Sequence, residues 1–178
     1  RVRFGSLRLR GLSASWEEEL RERSALSPGE PLSFPKVLAE RDRVAGYLAD
    51  RGHPLGRTDL TVAYSGDSAQ VRLDVDPGPA VRVDSIRIDP LKRTQEEVVR
   101  RELTLKPGGL LLGRRVLESR QRLLDTGLFQ RVRIVPEFAD SGRPEADLRI
   151  LLEERKSGWY GAGAGLLREP QKIARIFQ

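Results

Sequence analysis

The chain has 178 residues, and its 32 basic and 26 acidic side chains give a formal net charge of +6. It contains no Cys, which excludes disulfides, thiolate chemistry and metal sites with Cys ligands. No run of about 18 apolar residues is present, which excludes a membrane-spanning helix of the usual length. Because Met is absent as well, we expect the chain to be an excised segment of a longer protein.

The sequence repeats one pattern with a constant offset of 79 residues. Residues 2–9 align with residues 81–88, and Leu26-Ser27-Pro28-Gly29 aligns with Leu105-Lys106-Pro107-Gly108. The same offset places Val37-Leu38 opposite Val116-Leu117. One offset that holds across a strand pattern, a turn and a helix pattern predicts two small domains of one type. The period is too long for a solenoid repeat.

Each repeat begins with a strand. Leu7 and Leu9 alternate with polar residues, as do Ile86 and Ile88, and this period of two predicts a half-buried strand. Just before each strand the apolar residues stand in the opposite phase. The phase changes at Gly5-Ser6 and at Asp84-Ser85, which predicts a β-bulge or a joint at the same place in both repeats.

A short helix follows in each repeat. Residues 15–18 (Ser-Trp-Glu-Glu) and 94–97 (Thr-Gln-Glu-Glu) read as capping boxes, in which the hydroxyl and a Glu cap the first turn. Pro28-Gly29 and Pro107-Gly108 then end the helices and turn the chain.

A second helix is predicted over residues 35–50 and again over residues 113–125. We expect its buried face to hold Val37, Leu38, Val44, Tyr47 and Leu48 in the first copy, and Val116, Leu117, Leu123 and Leu124 in the second. Gly52 and Gly127 follow these helices and are suited to the left-handed residue that commonly ends a helix.

Two strands close each repeat. The first copy pairs Leu60, Val62 and Tyr64 with the strand after the turn at residues 65–68, and the second uses a looser loop at 139–146. The order β-α-α-β-β predicts an α+β fold with two helices over one face of a three-stranded mixed sheet. Pro77, Gly78 and Pro79 form a short, stiff joint between the copies.

The second copy carries a specific resemblance. Residues 100–108, 117–124 and 126–132, in that order, are similar to the signature of the POTRA (polypeptide-transport-associated) domains of the BamA/TamA superfamily of outer-membrane assembly proteins. The resemblance covers residues 2–155, and the first copy is a divergent member with His53-Pro54 in place of Leu128-Phe129. The residues that it marks as structural are Pro28, Gly29, Gly52, Pro107, Gly108, Gly127 and Phe129.

The resemblance implies a division of the chain. Residues 1–78 are expected to be the divergent POTRA-like domain, and residues 79–155 the signature copy next to a membrane barrel. Residues 156–178, which open with Gly-rich sequence around Trp159 and Tyr160, would be a linker and either a truncated start of a β-barrel or an artificial tail.

The implied mechanism is binding rather than catalysis. In this family the second-to-last strand of each domain is an open sheet edge, which can bind an extended peptide by strand addition. The candidate edges are residues 59–65 and 131–137, and the residues expected to bind peptide are Leu60, Val62, Tyr64, Arg131, Val132, Arg133 and Ile134.

The resemblance also implies a setting for this mechanism. It places the chain at the periplasmic face of the bacterial outer membrane, close to the membrane through a C-terminal barrel that this chain lacks. The expected partners are unfolded outer-membrane proteins and other subunits of an assembly machine, with no nucleic acid. No cofactor, metal or enzymatic activity is expected.

Two other functions remain open on the sequence alone. The same tandem could serve a two-partner secretion pore that recognises one secreted substrate. A basic α+β nucleic-acid-binding tandem is the second, prompted by a pI of about 10.1. Against it, the strands show no exposed aromatic ladder, and neither Pro-Gly turn resembles a Gly-x-x-Gly loop. Glu17-Glu18-Glu19 and the lone His53 are read as a helix first turn and a loop or interface residue.

Overall fold

A computed structural model describes residues 2–138 and 143–155. The first module consists of β1 (Arg3–Arg10), α1 (Ala14–Glu22), α2 (Phe34–Asp50), β2 (Arg57–Ser65) and β3 (Ser68–Asp76). The second consists of β4 (Arg82–Ile88), α3 (Glu96–Glu102), α4 (Gly113–Asp125), β5 (Phe129–Phe138) and β6 (Glu145–Glu154). This confirms the predicted α+β fold of two β-α-α-β-β units. The predicted linker or barrel start at 156–178 lies outside the described residues.

Each module has one mixed three-stranded sheet. The strand order is β1-β3-β2 in the first module and β4-β6-β5 in the second. In each module the last strand, β3 or β6, is central. It pairs parallel with β1 or β4 and antiparallel with β2 or β5. A parallel neighbour needs a long crossover, and the two helices provide it. Among the described residues, no helix is long and apolar enough to cross a membrane.

The first strand of each module carries the predicted bulge. The register shifts between Phe4 and Ser6 in β1, and between Val83 and Ile86 in β4. The Pro-Gly turn then lies against the outer edge of each bulged strand, where Gly29 N donates to Phe4 O (2.8 Å) and Gly108 N donates to Val83 O (2.7 Å). Both glycines have positive φ, +88° and +79°. The turns therefore cover the beginning of one sheet edge in each module.

Separate apolar cores hold the modules together. The first module buries Leu20, Val44, Leu48 and Leu73 between its helices and sheet, and a smaller cluster includes Phe4, Val37 and Val71. The second module is built around Val99, Leu123, Phe129 and Leu148, all without exposed surface. Helices cover one face of each sheet, which places the polar alternate residues of the strands on the open face.

One predicted core residue is wrong. Leu117 is 64% exposed, because the buried stripe of α4 runs through Val116, Ser119 and Leu123, and Leu117 lies about 100° away from Val116 around the helix. Ser119 occupies the buried position instead, and its hydroxyl accepts a hydrogen bond from the Thr104 N–H at 2.9 Å. Leu117 was predicted to be buried because it is apolar and adjacent to Val116, which does pack against the core.

The capping predictions also need correction. Ser13, and not Ser15, caps α1 by accepting from Trp16 N at 3.4 Å. The α3 helix begins after Gln95 without a side-chain cap, so Thr94 is not its cap residue. The glycine predictions are confirmed, since Gly52 and Gly127 follow α2 and α4 with φ of +89° and +73°.

Candidate functional site

The strands β2 and β5 lie at the edges of their sheets. Within residues 2–138 and 143–155, no backbone hydrogen bond outside the strand ladders reaches residues 57–65 or 130–138. The opposite edges differ, because the Pro-Gly turns bond to β1 and β4 there. Over residues 57–65 and 130–138, each module therefore offers a strand whose outer backbone groups have no backbone partner among the described residues, a geometry that can accept another extended chain.

The turn between β2 and β3 determines which backbone groups of β2 face outward. Gly66 and Asp67 alone connect the strands, so Ser65 and Ser68 form a hydrogen-bonded pair. Such pairs alternate along an antiparallel ladder. The N–H and C=O groups that point away from β3 therefore belong to Thr58, Leu60, Val62 and Tyr64. All three predicted residues of this edge, Leu60, Val62 and Tyr64, are in that set.

In the second module, only some of the predicted edge residues direct their backbone groups outward. Asp89 N donates to Ile150 O at 2.9 Å, so the Ile150 carbonyl faces β4 and not β5. Its partner Ile134 thus directs its backbone outward, and so does Val132 two residues earlier. Arg131 and Arg133 have the opposite phase, so their backbone groups face β6 and their side chains lie on the open face of the sheet.

The side chains along each edge form an apolar row and a polar row. On the helix side of β2, Leu60 and Val62 are half-buried and Tyr64 is 62% exposed. The open face of the same strand carries Arg57, Asp59, Thr61 and Ala63. In β5 the Val132 side chain is only 2% exposed and packs in the core, so it can offer little beyond its backbone groups.

Ion pairs cover the open face of the second sheet. Arg149 Nε lies 2.9 Å from Asp89 Oδ1, and Arg131 Nη1 lies 3.6 Å from Glu153 Oε2. Arg87 pairs with Asp147, whose pKa is lowered first by the Ser85 hydroxyl and also by Arg87. The pairs join neighbouring strands, and among the described residues no side-chain hydrogen bond reaches the backbone of residues 130–138.

The predicted joint contains specific hydrogen bonds. Gly78 N donates to Asp76 Oδ1 at 3.0 Å, and Nδ1 of His53 lies 2.9 Å from Gly78 O. Val81 N donates to Gly52 O at 2.8 Å, which ties the end of α2 to the start of the second module. His53 is therefore a joint residue. Pro77 and Pro79 restrict the backbone on either side of Gly78.

An aromatic cluster extends this joint to α1. The Tyr47 hydroxyl donates to Glu19 Oε2 at 2.8 Å and is the largest cause that lowers the pKa of that carboxyl. The Arg51 guanidinium lies 3.5 Å from the centre of the Tyr47 ring, and the Trp16 and His53 rings meet edge to face at 5.5 Å. The end of α2 is thus tied to α1.

A close approach between α2 and α4 was not predicted from the sequence. A Cβ placed on Gly113 would lie 3.0 Å from Asp50 Oδ1 and 3.2 Å from Ala49 Cβ, and a Cβ on Gly52 would lie 3.4 Å from Leu110. Glycine at the first position of α4 permits this contact. Its only sequence signal was a glycine at the first position of the predicted helix.

Replacing Gly113 with valine is expected to change the relative orientation of the modules, because the new side chain overlaps the end of α2. Residual dipolar couplings should still satisfy the fold of each module but require a different angle between them. Gly46→Ala is the matched control, since a Cβ there meets nothing within 4 Å. Unchanged couplings between the modules in the valine variant would contradict the contact.

Glu154 fixes the end of β6 against the segment before α3. Its carboxylate accepts from the backbone N–H groups of Lys92 (3.0 Å), Arg93 (3.1 Å) and Thr94 (2.8 Å). The pKa of Glu154 is lowered from 4.5 to about 2, chiefly by a hydrogen bond from the Thr94 side chain. The three backbone N–H groups lower it further. The carboxylate thereby joins the end of β6 to the backbone just ahead of α3.

Glu154→Gln is expected to remove part of the acid sensitivity of the second module. Because the folded-state pKa of about 2 lies below the ordinary 4.5, the carboxylate stabilises the fold fully above pH 4.5. That contribution is lost as the pH falls toward 2. Thermal unfolding from pH 6 to pH 2 should show a smaller fall in Tm for the variant. Glu153→Gln, an exposed neighbour, should follow the wild type, and equal slopes for all three proteins would exclude this role.

Comparison with known proteins supports the POTRA resemblance. Residues 81–155 match the family model POTRA, described as "Surface antigen variable number repeat". The chain is 30% identical over 142 residues to the outer membrane protein assembly factor BamA of Neorickettsia risticii, covering 75% of this chain and 18% of that protein. It is 24% identical over 175 residues to BamA of Neisseria meningitidis, covering 95% and 22%.

Solved structures share the fold. The Haemophilus influenzae BamA POTRA3-5 structure superposes with a TM-score of 0.77 at 19% identity, covering 86% of this chain and 61% of that one. BamA from Haemophilus ducreyi lacking POTRA domains 1-3 gives 0.73 at 21% identity, covering 86% and 29%. The chain spans about a fifth of the length of the two curated relatives. These matches confirm the resemblance: residues 81–155 match the POTRA family model, the chain is similar to BamA assembly factors, and the first module repeats the fold of the second.

Proposed function

We propose that the two modules belong to the periplasmic part of an outer-membrane protein assembly factor and bind extended segments of unfolded β-barrel proteins by strand addition. The observation that carries the proposal is the open edge of each sheet, with outward backbone groups at Thr58, Leu60, Val62 and Tyr64 in β2 and at Val132 and Ile134 in β5. Main-chain hydrogen bonds give affinity with little dependence on sequence, which suits a factor with many clients.

The two side-chain rows favour a particular kind of client. A strand added to β2 would place alternate residues beside the apolar row of Leu60, Val62 and Tyr64, and the others beside the polar row of Arg57, Asp59 and Thr61. Transmembrane strands of outer-membrane barrels alternate in the same way, apolar toward lipid and polar toward the lumen. Such strands therefore match this edge better than uniformly polar peptides.

The names of the relatives support the remaining parts of the proposal. Both curated relatives are called outer membrane protein assembly factors, and we extend that role to this chain. Its location is then the periplasmic face of the outer membrane. Its other partners are further subunits of the assembly machine and a barrel that follows the modules in the full-length protein.

An NMR titration of the 178-residue chain tests this function. The probes are peptides from several unrelated outer-membrane β-strands, a scrambled peptide that breaks the alternation, and a short single-stranded oligonucleotide. We expect amide shifts along residues 58–64 or 132–135 with every alternating peptide, and weaker shifts with the scrambled one.

Two results would overturn the proposal. A response to the oligonucleotide alone, decreasing steeply with salt, would favour nucleic-acid binding. Binding of one secreted substrate with no response to the barrel strands would favour dedicated secretion.

A further inference from the structure

The two open edges differ at one residue, Pro136 in β5. Proline has no backbone N–H, so it cannot form a hydrogen-bonded pair across a sheet. Pro136 pairs with Leu148, two positions from the pair of Ile134 and Ile150. It therefore has the same outward phase as Ile134, and the missing donor lies on the free side of β5 and not on the β6 side. The ladder within the sheet is left complete, while the outer edge lacks one donor.

The β2 edge has no such interruption. Thr58, Leu60, Val62 and Tyr64 each direct an N–H and a C=O outward, and none of them is proline. An extended peptide can therefore pair continuously opposite residues 58–64. In β5 only Val132 and Ile134 provide consecutive outward donors before the gap at Pro136. The bulge between Phe129 and Arg131 disturbs the ladder at the other end of the strand.

Side chains reinforce this difference. Tyr64 is 62% exposed at the end of β2 and offers a ring to a residue of the added strand. Val132 in β5 is buried in the core and offers no side-chain surface to a partner. Arg131 and Arg133 add charge to the open face beside the short edge.

We propose that β2 is the principal strand-addition edge of this chain, and that Pro136 is a register stop that limits β5 to a short client segment. The proposal rests on the proposed function and deepens it, because it assigns the main binding site to the divergent first module. Peptide should bind β2 about tenfold or more tightly than β5, since two fewer consecutive donors are available there. The effect of Pro136 comes from its missing backbone N–H.

Three variants of the full chain test the proposal by NMR titration with an alternating peptide of seven residues or more. Val62→Pro removes one outward donor without removing a bond to β3. We expect it to weaken binding at β2 about tenfold, while its control Val62→Ala, which keeps the N–H, binds nearly as wild type. Pro136→Ala restores the missing donor. It should extend the shifts along β5 to residues 136–138 and tighten that site. Protected β3 amides in Val62→Pro would show that the sheet is intact.

The outcomes separate this proposal from the proposed function. Equal affinity of the two edges in the wild type, with shifts that run across residue 136, would overturn the assignment of β2 as the principal edge. So would a Pro136→Ala variant with an unchanged response along β5. Strand addition itself would survive both results. A wild-type chain that shows no response at either edge would instead reject the proposed function, and with it this inference.

Discussion

Phe129→Ala is expected to lower the free energy of unfolding of the second module by about 3–5 kcal/mol. Phe129 has no exposed surface and is the largest of the fully buried side chains among the described residues. It begins β5 immediately after the turn at Gly127 and packs within the core that joins the helices to the sheet. Removing the ring leaves a cavity where α4, β5 and β6 meet, and the rigid sheet cannot collapse to fill it.

Native-state hydrogen exchange measures this effect in one module of a two-module chain. Amides of β6 should lose protection, while those of β3 in the first module should keep it. Phe138→Ala is the matched control, because Phe138 lies at the other end of β5 and is 39% exposed. A cost of less than about 1 kcal/mol for Phe129→Ala, within the range of a surface substitution, would contradict the central position of this ring.

Arg43→Met is expected to destabilise the first module by about 3–5 kcal/mol. Glu40 lies on α2 with only 1% of its side chain exposed, and Arg43 pairs with it one turn later. Arg43 Nη2 also donates to Leu20 O at 2.7 Å, which links α2 to α1. Methionine leaves the Glu40 carboxylate buried without its counter-charge, and the desolvation of that charge is no longer offset.

The double variant Glu40→Leu/Arg43→Met provides the control for this pair. Replacing both partners by apolar groups removes the uncompensated charge, so most of the lost stability should return. Urea denaturation, followed through the amide signals of the first module, gives the free energies of all three proteins. A double variant as unstable as Arg43→Met would show that packing, and not the buried charge, accounts for the loss.

Periodicity and repetition made most of the fold predictable from the sequence. Strands alternate with period two and helices follow a wider stripe, so β-α-α-β-β could be read from Leu7, Leu9 and their counterparts Ile86 and Ile88. Because the offset between the copies is constant, an element predicted in one copy supported the same element in the other. Phase change in the first strand gave the bulge correctly, because a bulge moves alternate side chains to the other face.

Contacts between distant residues were less predictable. Thr94 appeared to begin a capping box, yet the carboxylate that accepts from its N–H comes from Glu154, about 60 residues later. The contact of Gly113 with the end of α2 depends on how the modules lie together, which no local pattern encodes. Leu117 was misassigned because a stripe of period 3.6 is ambiguous where two apolar residues are adjacent.

The candidate site was predictable in position and less so in detail. The edges followed from the family resemblance, and the described residues place β2 and β5 there. That these residues bind peptide stays a prediction. Arg131 and Arg133 were grouped with Val132 and Ile134, although only the latter pair directs its backbone outward. Which residues of an edge strand direct their N–H and C=O groups outward depends on the turn and on the pairing with the neighbouring strand. It can therefore be assigned only when that pairing is known.

The Pro-Gly turns over β1 and β4 have a consequence for stoichiometry. A sheet open on both sides can add a strand at each, and successive copies can then join into a growing fibre. In each module, Gly29 or Gly108 and the residues after it occupy the start of one side. Strand addition is thereby directed to the other side, β2 or β5, and each module can bind one chain without extending into a fibre. Under the proposed function, each module would therefore bind a single client strand.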